Sequence, residues 1–174
     1  MRAGNRWGRA LIAAALLAAA GMSARAQTLN NGQTLVNRRA PDFARKTIDG
    51  RAFDLKSYRG KVVLLDFWAT WCAPCLVEMP TFAGWQREYG PQGLAVIGVS
   101  MDDDEATARK AVDKLKPGYK IVMGDAKLGT LYGGVMGLPL IFLVDADGVV
   151  RARFEGETDP KAIEDAFKRL LKRQ

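Results

Sequence analysis

The sequence at residues 66–75 reads Asp66-Phe67-Trp68-Ala69-Thr70-Trp71-Cys72-Ala73-Pro74-Cys75. It continues an apolar run that is typical of a buried strand, and it leads into a stretch whose apolar residues have helical spacing. The chain has no cysteine outside this motif. Two thiols separated by two residues can lie on one helical turn and form a disulfide there. The pattern predicts a dithiol redox centre, with a purely structural disulfide as the alternative.

The position of Cys72 gives that residue the attacking role. Cys72 is expected at the helix N-terminus, where unpaired backbone N–H groups and the helix dipole favour a thiolate over a thiol. The thiolate attacks the disulfide of a partner, and Cys75 then resolves the mixed disulfide. Pro74 fits early in the helix, where no intrahelical donor is lost. Because Ala73 and Pro74 offer no charge to a thiolate, the motif favours a reductant over a strong oxidant.

The N-terminal sequence has the three parts of an export signal. Arginines without any acid in residues 1–9 precede the apolar run Ala10–Ala20, which is followed by Ala24-Arg25-Ala26. Residues 1–26 are therefore predicted to be a cleavable signal peptide, and the protein to be periplasmic. The apolar run is about half of the roughly 20 residues that a membrane-spanning helix needs, so a retained membrane anchor is the less favoured alternative.

Charge and composition exclude several classes of function. The formal net charge is +7, but four of the 26 basic residues lie in the predicted signal peptide, against 19 acidic residues in the chain. The weak remaining excess excludes a nucleic-acid partner. The absence of histidine excludes histidine-based acid catalysis and histidine metal ligands. No metal and no cofactor besides the Cys72–Cys75 disulfide are expected. A modest basic concentration near the C-terminus is interpreted as a solvated helix face, made of Lys161, Lys168, Arg169, Lys172 and Arg173.

The chain beyond the signal peptide is long enough for one domain with a sizeable core. Residues 27–40 are polar and lack periodicity, which predicts a flexible leader before a folded domain at 41–174. Within that domain, short apolar runs alternate with longer amphipathic ones, which predicts an α/β fold. The predicted elements are a hairpin at 43–55, a central strand at 61–69, a helix at 74–89 with a kink at Pro80, a strand at 94–99, a helix capped by Asp102 and Asp104, a strand at 121–123, a helix at 125–132, a hairpin at 141–154 and a helix opened by Asp159-Pro160.

Further motifs give the chain a resemblance to a known family. The stretch 66–75 is followed by Glu78-Met79-Pro80 and by Gly137-Leu138-Pro139, and it is preceded by Pro41-Asp42-Phe43. In these motifs the chain resembles the thioredoxin superfamily, and within it the exported branch typified by TlpA and ResA. The resemblance implies a thioredoxin-like three-layer sandwich, in which helices flank a mixed central sheet, with an N-terminal β-hairpin and an inserted strand and helix.

The resemblance also implies roles for residues around the dithiol. The peptide bond from Leu138 to Pro139 would be cis and face the dithiol, which would place the Leu138 backbone where a substrate strand can pair with it. An ordinary turn proline is the alternative. Trp71 would cover one side of the thiol pair, or else simply be a packed aromatic residue. Leu140 stands where the branch often has threonine, which leaves substrate preference open.

Two carboxylic acids complete the candidate site. Asp66 interrupts a buried apolar run, where an unpaired carboxylate is costly and its pKa should rise. Cytoplasmic thioredoxins, which this chain resembles here, have such an acid behind the second cysteine, whereas the exported branch often has asparagine. We hypothesise that Asp66 deprotonates Cys75 during resolution, with a hydrogen-bonded core acid as the alternative. Glu78 matches a glutamate that tunes the dithiol in the branch; a solvated helix glutamate is the other interpretation.

These features leave two classes of function. The first is a thiol-disulfide oxidoreductase acting on cysteine-containing proteins, expected to be a monomer and a reductant. The resemblance implies clients such as the haem-binding cysteines of apocytochrome c or the copper-site cysteines of an oxidase, and a membrane thiol carrier as electron donor. An oxidase or isomerase is the alternative within this class. The second class is a Cu(I) metallochaperone that uses Cys72 and Cys75 with Met79 as a third ligand. A peroxidase is disfavoured, because Ala69 stands where peroxiredoxins, which are related, have threonine.

Overall fold

The computed structural model of the protein describes residues 35–173. The predicted signal peptide and the first part of the predicted leader lie outside these residues. Among the described residues, no helix combines the length and the apolar character that crossing a membrane requires.

The end of the predicted leader belongs to the folded domain. Leu35 and Val36 pack against the core, and Ala40 is buried. The Asn37 backbone N–H donates to the Val150 carbonyl at 2.7 Å. The prediction that the domain begins near residue 41 was therefore wrong by several residues, because short apolar side chains inside a polar stretch bury surface that the missing periodicity did not reveal.

Residues 35–173 contain seven strands and four α-helices. A short 3-10 helix, Leu55–Tyr58, follows the second strand, and another, Gly90–Gln92, follows the first α-helix. The strands and α-helices are β1 (Ala44–Lys46), β2 (Ala52–Asp54), β3 (Val62–Trp68), α1 (Ala73–Tyr89), β4 (Leu94–Ser100), α2 (Glu105–Leu115), β5 (Lys120–Met123), α3 (Ala126–Leu131), β6 (Leu140–Val144), β7 (Val150–Glu155) and α4 (Pro160–Leu171).

A mixed sheet of five strands lies at the centre of the fold, in the order β5-β4-β3-β6-β7. Strand β3 is parallel to β4 and antiparallel to β6. Strands β1 and β2 form a separate antiparallel hairpin, closed at Gly50, whose φ of +87° suits glycine. The predicted thioredoxin-like fold, with its mixed sheet and N-terminal hairpin, is confirmed.

The alternation of side chains along β3 produces two cores. Leu64 points to the face covered by α1 and α4, where it joins Phe82 and Phe167. Leu65 points to the opposite face, which the hairpin and α3 cover. Every residue of β3 is buried, as expected for a strand in the middle of a three-layer sandwich.

The helix caps were predicted with one error. Asp104 caps α2, because its carboxylate accepts from the backbone N–H groups of Ala106 and Thr107. Asp102, predicted as a second cap, instead lies between β4 and α2 and binds Thr70 and Ser100. The sequence spacing fitted both acids equally well, and only the contact with a segment 32 residues away distinguishes them.

Candidate functional site

The dithiol lies where β3 ends and α1 begins. Strand β3 ends at Trp68, and Cys72 forms the N-cap of α1, with its sulfur accepting from the Cys75 backbone N–H at 3.3 Å. Cys72 and Cys75 form a disulfide, with their Cα atoms 5.4 Å apart. Pro74 lies in the first turn of α1, where its missing N–H leaves no helical hydrogen bond unmade.

The two sulfurs differ in access to a partner. Cys72 keeps 5% of its surface exposed and Cys75 only 1%. When the disulfide is reduced, the unpaired N–H groups of the first turn of α1 favour the thiolate of Cys72. Both cysteines are thus buried in the disulfide form, and Cys72 keeps slightly more exposed surface than Cys75.

The loop before β6 lies beside the dithiol. The Leu138-Pro139 peptide bond is cis, as the resemblance implied. Leu138 packs against the apolar cluster that contains Cys72 and Cys75. The carbonyl of Pro139 accepts from the Gly156 N–H at 2.9 Å, which fixes the loop to the end of β7. The predicted substrate-binding role of Leu138 and Pro139 stays a prediction.

Large apolar side chains are exposed close in sequence to the two cysteines and to the cis peptide bond. Trp71, directly before Cys72, is 71% exposed, so the alternative of a packed core aromatic is excluded. Val77 on α1 and Met136 in the loop before Leu138 are also exposed. Exposed apolar residues in the segments next to a reactive site are typical of a surface that a protein partner covers.

Asp66 is a buried carboxyl group without a hydrogen-bond partner. It is 1% exposed, and neither of its carboxylate oxygens has a partner. Its neighbours across the sheet are Gly98 and Ile141, which have no polar side chain to offer. Burial raises the pKa of Asp66 well above the ordinary range, and the negative charge of Glu78 raises it further. The alternative of a hydrogen-bonded core acid therefore does not fit the structure.

Glu78 lies one turn after Cys75 on α1. Its Oε2 atom is buried without a partner, which does not fit the interpretation as a freely solvated glutamate. Partial burial, followed by the negative charge of Glu157, raises the pKa of Glu78 to about 7. The site therefore holds two carboxyl groups with raised pKa values, and the charge of Glu78 contributes to the raised pKa of Asp66.

This displacement predicts a pH dependence of stability. A carboxyl group with a raised pKa binds a proton in the folded state at pH values where the unfolded chain has lost it, so stability falls as pH rises between the two pKa values. We expect the free energy of unfolding to fall between about pH 4.5 and pH 7, and Glu78→Gln to remove part of that slope. Urea unfolding across this range measures it, with Glu88→Gln as the control on the same helix. An unchanged slope in Glu78→Gln would contradict the raised pKa.

The sequence did not single out Tyr119. This residue precedes β5 and packs against the cluster that contains the cysteines. Its hydroxyl is buried without a partner, and burial together with the charges of Asp66 and Glu78 raises its pKa. No sequence motif marks Tyr119, because its proximity to Asp66 arises from the packing of β5 beside β4.

Asp102 is a second group that the sequence did not assign to the site. Its carboxylate accepts from the Thr70 backbone N–H at 3.0 Å, from the Thr70 hydroxyl at 2.6 Å and from the Ser100 hydroxyl at 2.8 Å. Thr70 belongs to the turn that carries the chain from β3 to Cys72. Asp102 therefore holds the segment that positions the dithiol.

Asp102→Ala is expected to destabilise the protein by about 1–3 kcal/mol, because the N–H and two hydroxyls would lose a charged acceptor. Chemical denaturation measures the change. The exposed neighbour Asp103 provides the matched control, and Asp103→Ala is expected to change stability by less than about 0.5 kcal/mol. Equal effects of the two substitutions would show that Asp102 does not hold this turn.

Met79, the suggested third copper ligand, lies in the apolar core. It is 1% exposed and belongs to the cluster that contains both cysteines and Trp68. A buried methionine at helical spacing is what core packing requires of α1. Copper binding by this chain stays an untested alternative.

Comparison with known proteins finds relatives that are named for thiol-disulfide exchange, in agreement with the disulfide at the start of α1. Residues 36–153 match the AhpC/TSA family. The chain is 33% identical over 137 residues to the thiol-disulfide oxidoreductase ResA of Bacillus anthracis, which covers 78% of each chain. It is 33% identical over 165 residues to the thiol:disulfide interchange protein DsbE of Escherichia coli K12, covering 91% of this chain and 86% of that one. Among solved structures, a thioredoxin-family thiol:disulfide interchange protein from Chlorobium tepidum superimposes with a TM-score of 0.71 at 27% identity, covering 76% of this chain and 95% of the other.

Proposed function

The chain belongs to the AhpC/TSA family and is a thiol-disulfide oxidoreductase of the ResA and DsbE type. We propose that it is exported and that it reduces disulfides in other proteins. The observation that carries the proposal is the asymmetry of the dithiol. Cys72 caps α1 and keeps 5% of its surface exposed, whereas Cys75 in the first turn of α1 keeps 1%. Thiol-disulfide exchange needs an attacking and a resolving thiol, and the reducing direction is proposed because Ala73 and Pro74 offer no charge to a thiolate.

The reaction transfers two electrons in two exchanges. The Cys72 thiolate attacks one sulfur of the client disulfide, forms a mixed disulfide, and releases the other client sulfur as a thiolate that takes a proton. The Cys75 thiolate then attacks the Cys72 sulfur, which frees the second client sulfur and leaves the Cys72–Cys75 disulfide. The client gains two electrons and two protons, and the enzyme loses them. A thiol donor must reduce the enzyme again before the next cycle.

Asp66 is proposed as the group that accepts the Cys75 proton. Its raised pKa makes the Asp66 carboxylate a stronger base than that of an ordinary aspartate. Cys75 and Asp66 are each 1% exposed, so bulk water competes little for the proton.

The client is proposed to bind as an extended segment beside the cis peptide bond. The backbone of Leu138 would pair with this segment, and the exposed side chains of Trp71 and Met136 would cover it. The client class that fits the resemblance is an exported apoprotein with cysteines to be kept reduced for haem or copper insertion. A membrane thiol carrier is the proposed electron donor.

The reduction potential of the Cys72–Cys75 couple tests the direction of electron flow. Equilibration of the purified protein with dithiothreitol or glutathione is expected to give a value near that of thioredoxin, about −270 mV. A value near that of DsbA, about −120 mV, would show that the protein is an oxidant instead.

A further inference from the structure

Several polar groups are buried beneath α1 without a hydrogen-bond partner in the described part of the chain. They are two donors, the Trp68 indole N–H and the Tyr119 hydroxyl, and two acceptors, the Asp66 carboxyl group and one oxygen of Glu78. Buried polar groups are nearly always hydrogen-bonded, so unpaired donors and acceptors in one region of a fold call for an explanation. The reactive disulfide lies in the same region, because Cys75 and Trp68 share an apolar cluster against which Tyr119 packs.

The register of the sheet brings the donors to the side of the carboxyl group. Asp66 on β3 pairs with Gly98 on β4, and Gly98 pairs with Ile121 on β5. Paired residues point to the same face of a sheet, and so do residues two positions apart. Trp68 follows Asp66 by two residues, and Tyr119 precedes Ile121 by two residues. Both aromatic side chains therefore lie on the face of the sheet that carries Asp66.

The Trp68 indole is fixed in its place. Because Gly98 has no side chain, the indole can lie over this position, where a Cβ atom would be 3.1 Å from the Trp68 Nε1 atom and would overlap the side chain of Ile121. Trp68 is also fully buried. Its N–H therefore has little freedom to turn toward a new acceptor.

Tyr119 has the freedom that Trp68 lacks. It belongs to the loop before β5, and clefts of about 340 Å³ and 260 Å³ border it. Its hydroxyl can also rotate to suit an acceptor. Burial and the negative charges of Asp66 and Glu78 raise the pKa of Tyr119, so the hydroxyl keeps its proton and remains a donor.

The disulfide form corresponds to the end of the proposed reaction. At that point Asp66 has taken the proton of Cys75, and a neutral carboxyl group tolerates burial far better than a carboxylate does. Before resolution the same group must be ionised, and a buried carboxylate needs hydrogen-bond donors. We propose that the Tyr119 hydroxyl donates a hydrogen bond to the ionised Asp66 carboxylate and thereby positions the base for resolution. This inference rests on the proposed role of Asp66.

The other charged groups near this pair stay the same in the variants that test the inference. The charge of Glu78 on α1 acts on both Asp66 and Tyr119. The charged residues that line the larger cleft beside Tyr119 are Asp49, Arg51, Arg109, Asp113 and Lys120. Because none of these residues is substituted, their contributions cancel when the variants are compared.

Nuclear magnetic resonance of the Asp66 carboxyl carbon in the reduced full chain tests the hydrogen bond. Tyr119→Phe removes the hydroxyl and keeps the ring. We expect the pKa of Asp66 to rise by about one pH unit in this variant, because a hydrogen bond to a charged group favours the ionised form. The pH dependence of the resolution step should move upward by the same amount. The Asp66 signal is identified by its absence from Asp66→Asn.

Tyr58→Phe is the matched control. The Tyr58 hydroxyl is also buried without a partner, but Tyr58 lies in the core on the opposite face of the sheet. This variant is expected to change the pKa of Asp66 by less than about 0.3 pH units. An unchanged pKa of Asp66 in Tyr119→Phe would overturn the inference. Equal changes in the two variants would also overturn it, because they would show a non-local effect.

A double variant separates the inference from the proposed function. In the Asp66→Asn background, Tyr119→Phe is expected to leave the resolution rate unchanged, because the hydroxyl acts through Asp66. Further slowing would contradict this positioning role. A raised pKa of Asp66 in Tyr119→Phe, together with a normal resolution rate in Asp66→Asn, would support the hydrogen bond and refute the proposed base. Slow resolution in Asp66→Asn with an unchanged pKa in Tyr119→Phe would refute the hydrogen bond alone.

Discussion

Replacing Cys72 by serine is expected to lower the rate of protein-disulfide reduction by at least about 10³-fold, because no other thiol of the chain is positioned to begin the exchange. Cys75 is 1% exposed within the first turn of α1, so it is not expected to take over the attack. The insulin reduction assay with dithiothreitol as electron donor measures the loss.

Cys75→Ser is expected to fail in a different way. Cys72 still attacks the client, but the mixed disulfide is no longer resolved and accumulates as a covalent complex. Gel electrophoresis without a reductant should reveal this complex for Cys75→Ser and not for Cys72→Ser. Ala73→Ser, which adds a hydroxyl at an exposed position between the cysteines, is the matched control and should stay within about two-fold of the unmodified rate. A trapped client in Cys72→Ser would reverse the assignment of attacking and resolving thiols.

The second large effect is expected from Asp66→Asn, which should make the protein more stable and less active. Ionised Asp66 is a buried charge without a hydrogen bond, and removing such a charge stabilises a fold. Because the folded-state pKa of Asp66 is raised, its ionisation does not destabilise the fold below the unfolded-state pKa of about 4. The destabilisation grows as pH rises from that value to the folded-state pKa. We expect Asp66→Asn to raise the free energy of unfolding very little at pH 4 and by about 2 kcal/mol at pH 9, as measured by urea unfolding.

The same substitution removes the proposed base. The resolution step is expected to slow by about 10²-fold at neutral pH, which is the lower end of the usual contribution of general-base catalysis. Stopped-flow tryptophan fluorescence, monitored after mixing the reduced protein with a mixed-disulfide peptide, separates resolution from the first attack. The first attack by Cys72 should be almost unchanged.

Asp102→Asn supplies the control for a buried acid. Asp102 is also buried, but three donors surround its carboxylate, so its replacement should destabilise the protein where Asp66→Asn stabilises it. A stability gain for Asp66→Asn with an unchanged resolution rate would identify Asp66 as a structural liability without a catalytic role. A loss of stability at pH 9 would contradict the buried, ionisable state itself.

Much of the fold and of the reactive centre could be predicted from local sequence. The run 62–68 has apolar residues on both faces, which only a central strand requires, and Cys72 and Cys75 follow it at a spacing that one helical turn fixes. The hairpins closed by Asp-Gly and the helix that begins at Asp-Pro could also be predicted, because turn and cap preferences depend on neighbouring residues. The export signal was read from the same kind of local pattern and lies outside the residues that the structure describes.

Other parts of the site depend on contacts between distant segments. Asp102 looked like a helix cap, and its hold on Thr70 appears only when β4 lies beside β3. Tyr119 had no sequence signal at all.

The sequence by itself determined which reactive groups this protein has. They are two thiols at the start of α1, an acid inside the apolar strand β3 and a proline directly before β6. The reason is that bond geometry, helix dipole and burial pattern act over a few residues. Only the tertiary structure decided that Cys72 keeps more exposed surface than Cys75, that Asp66 has no hydrogen bond, and that the pKa of Glu78 is raised to about 7. Access, desolvation and the coupling of charges depend on which segments the fold brings together, and no local pattern encodes them.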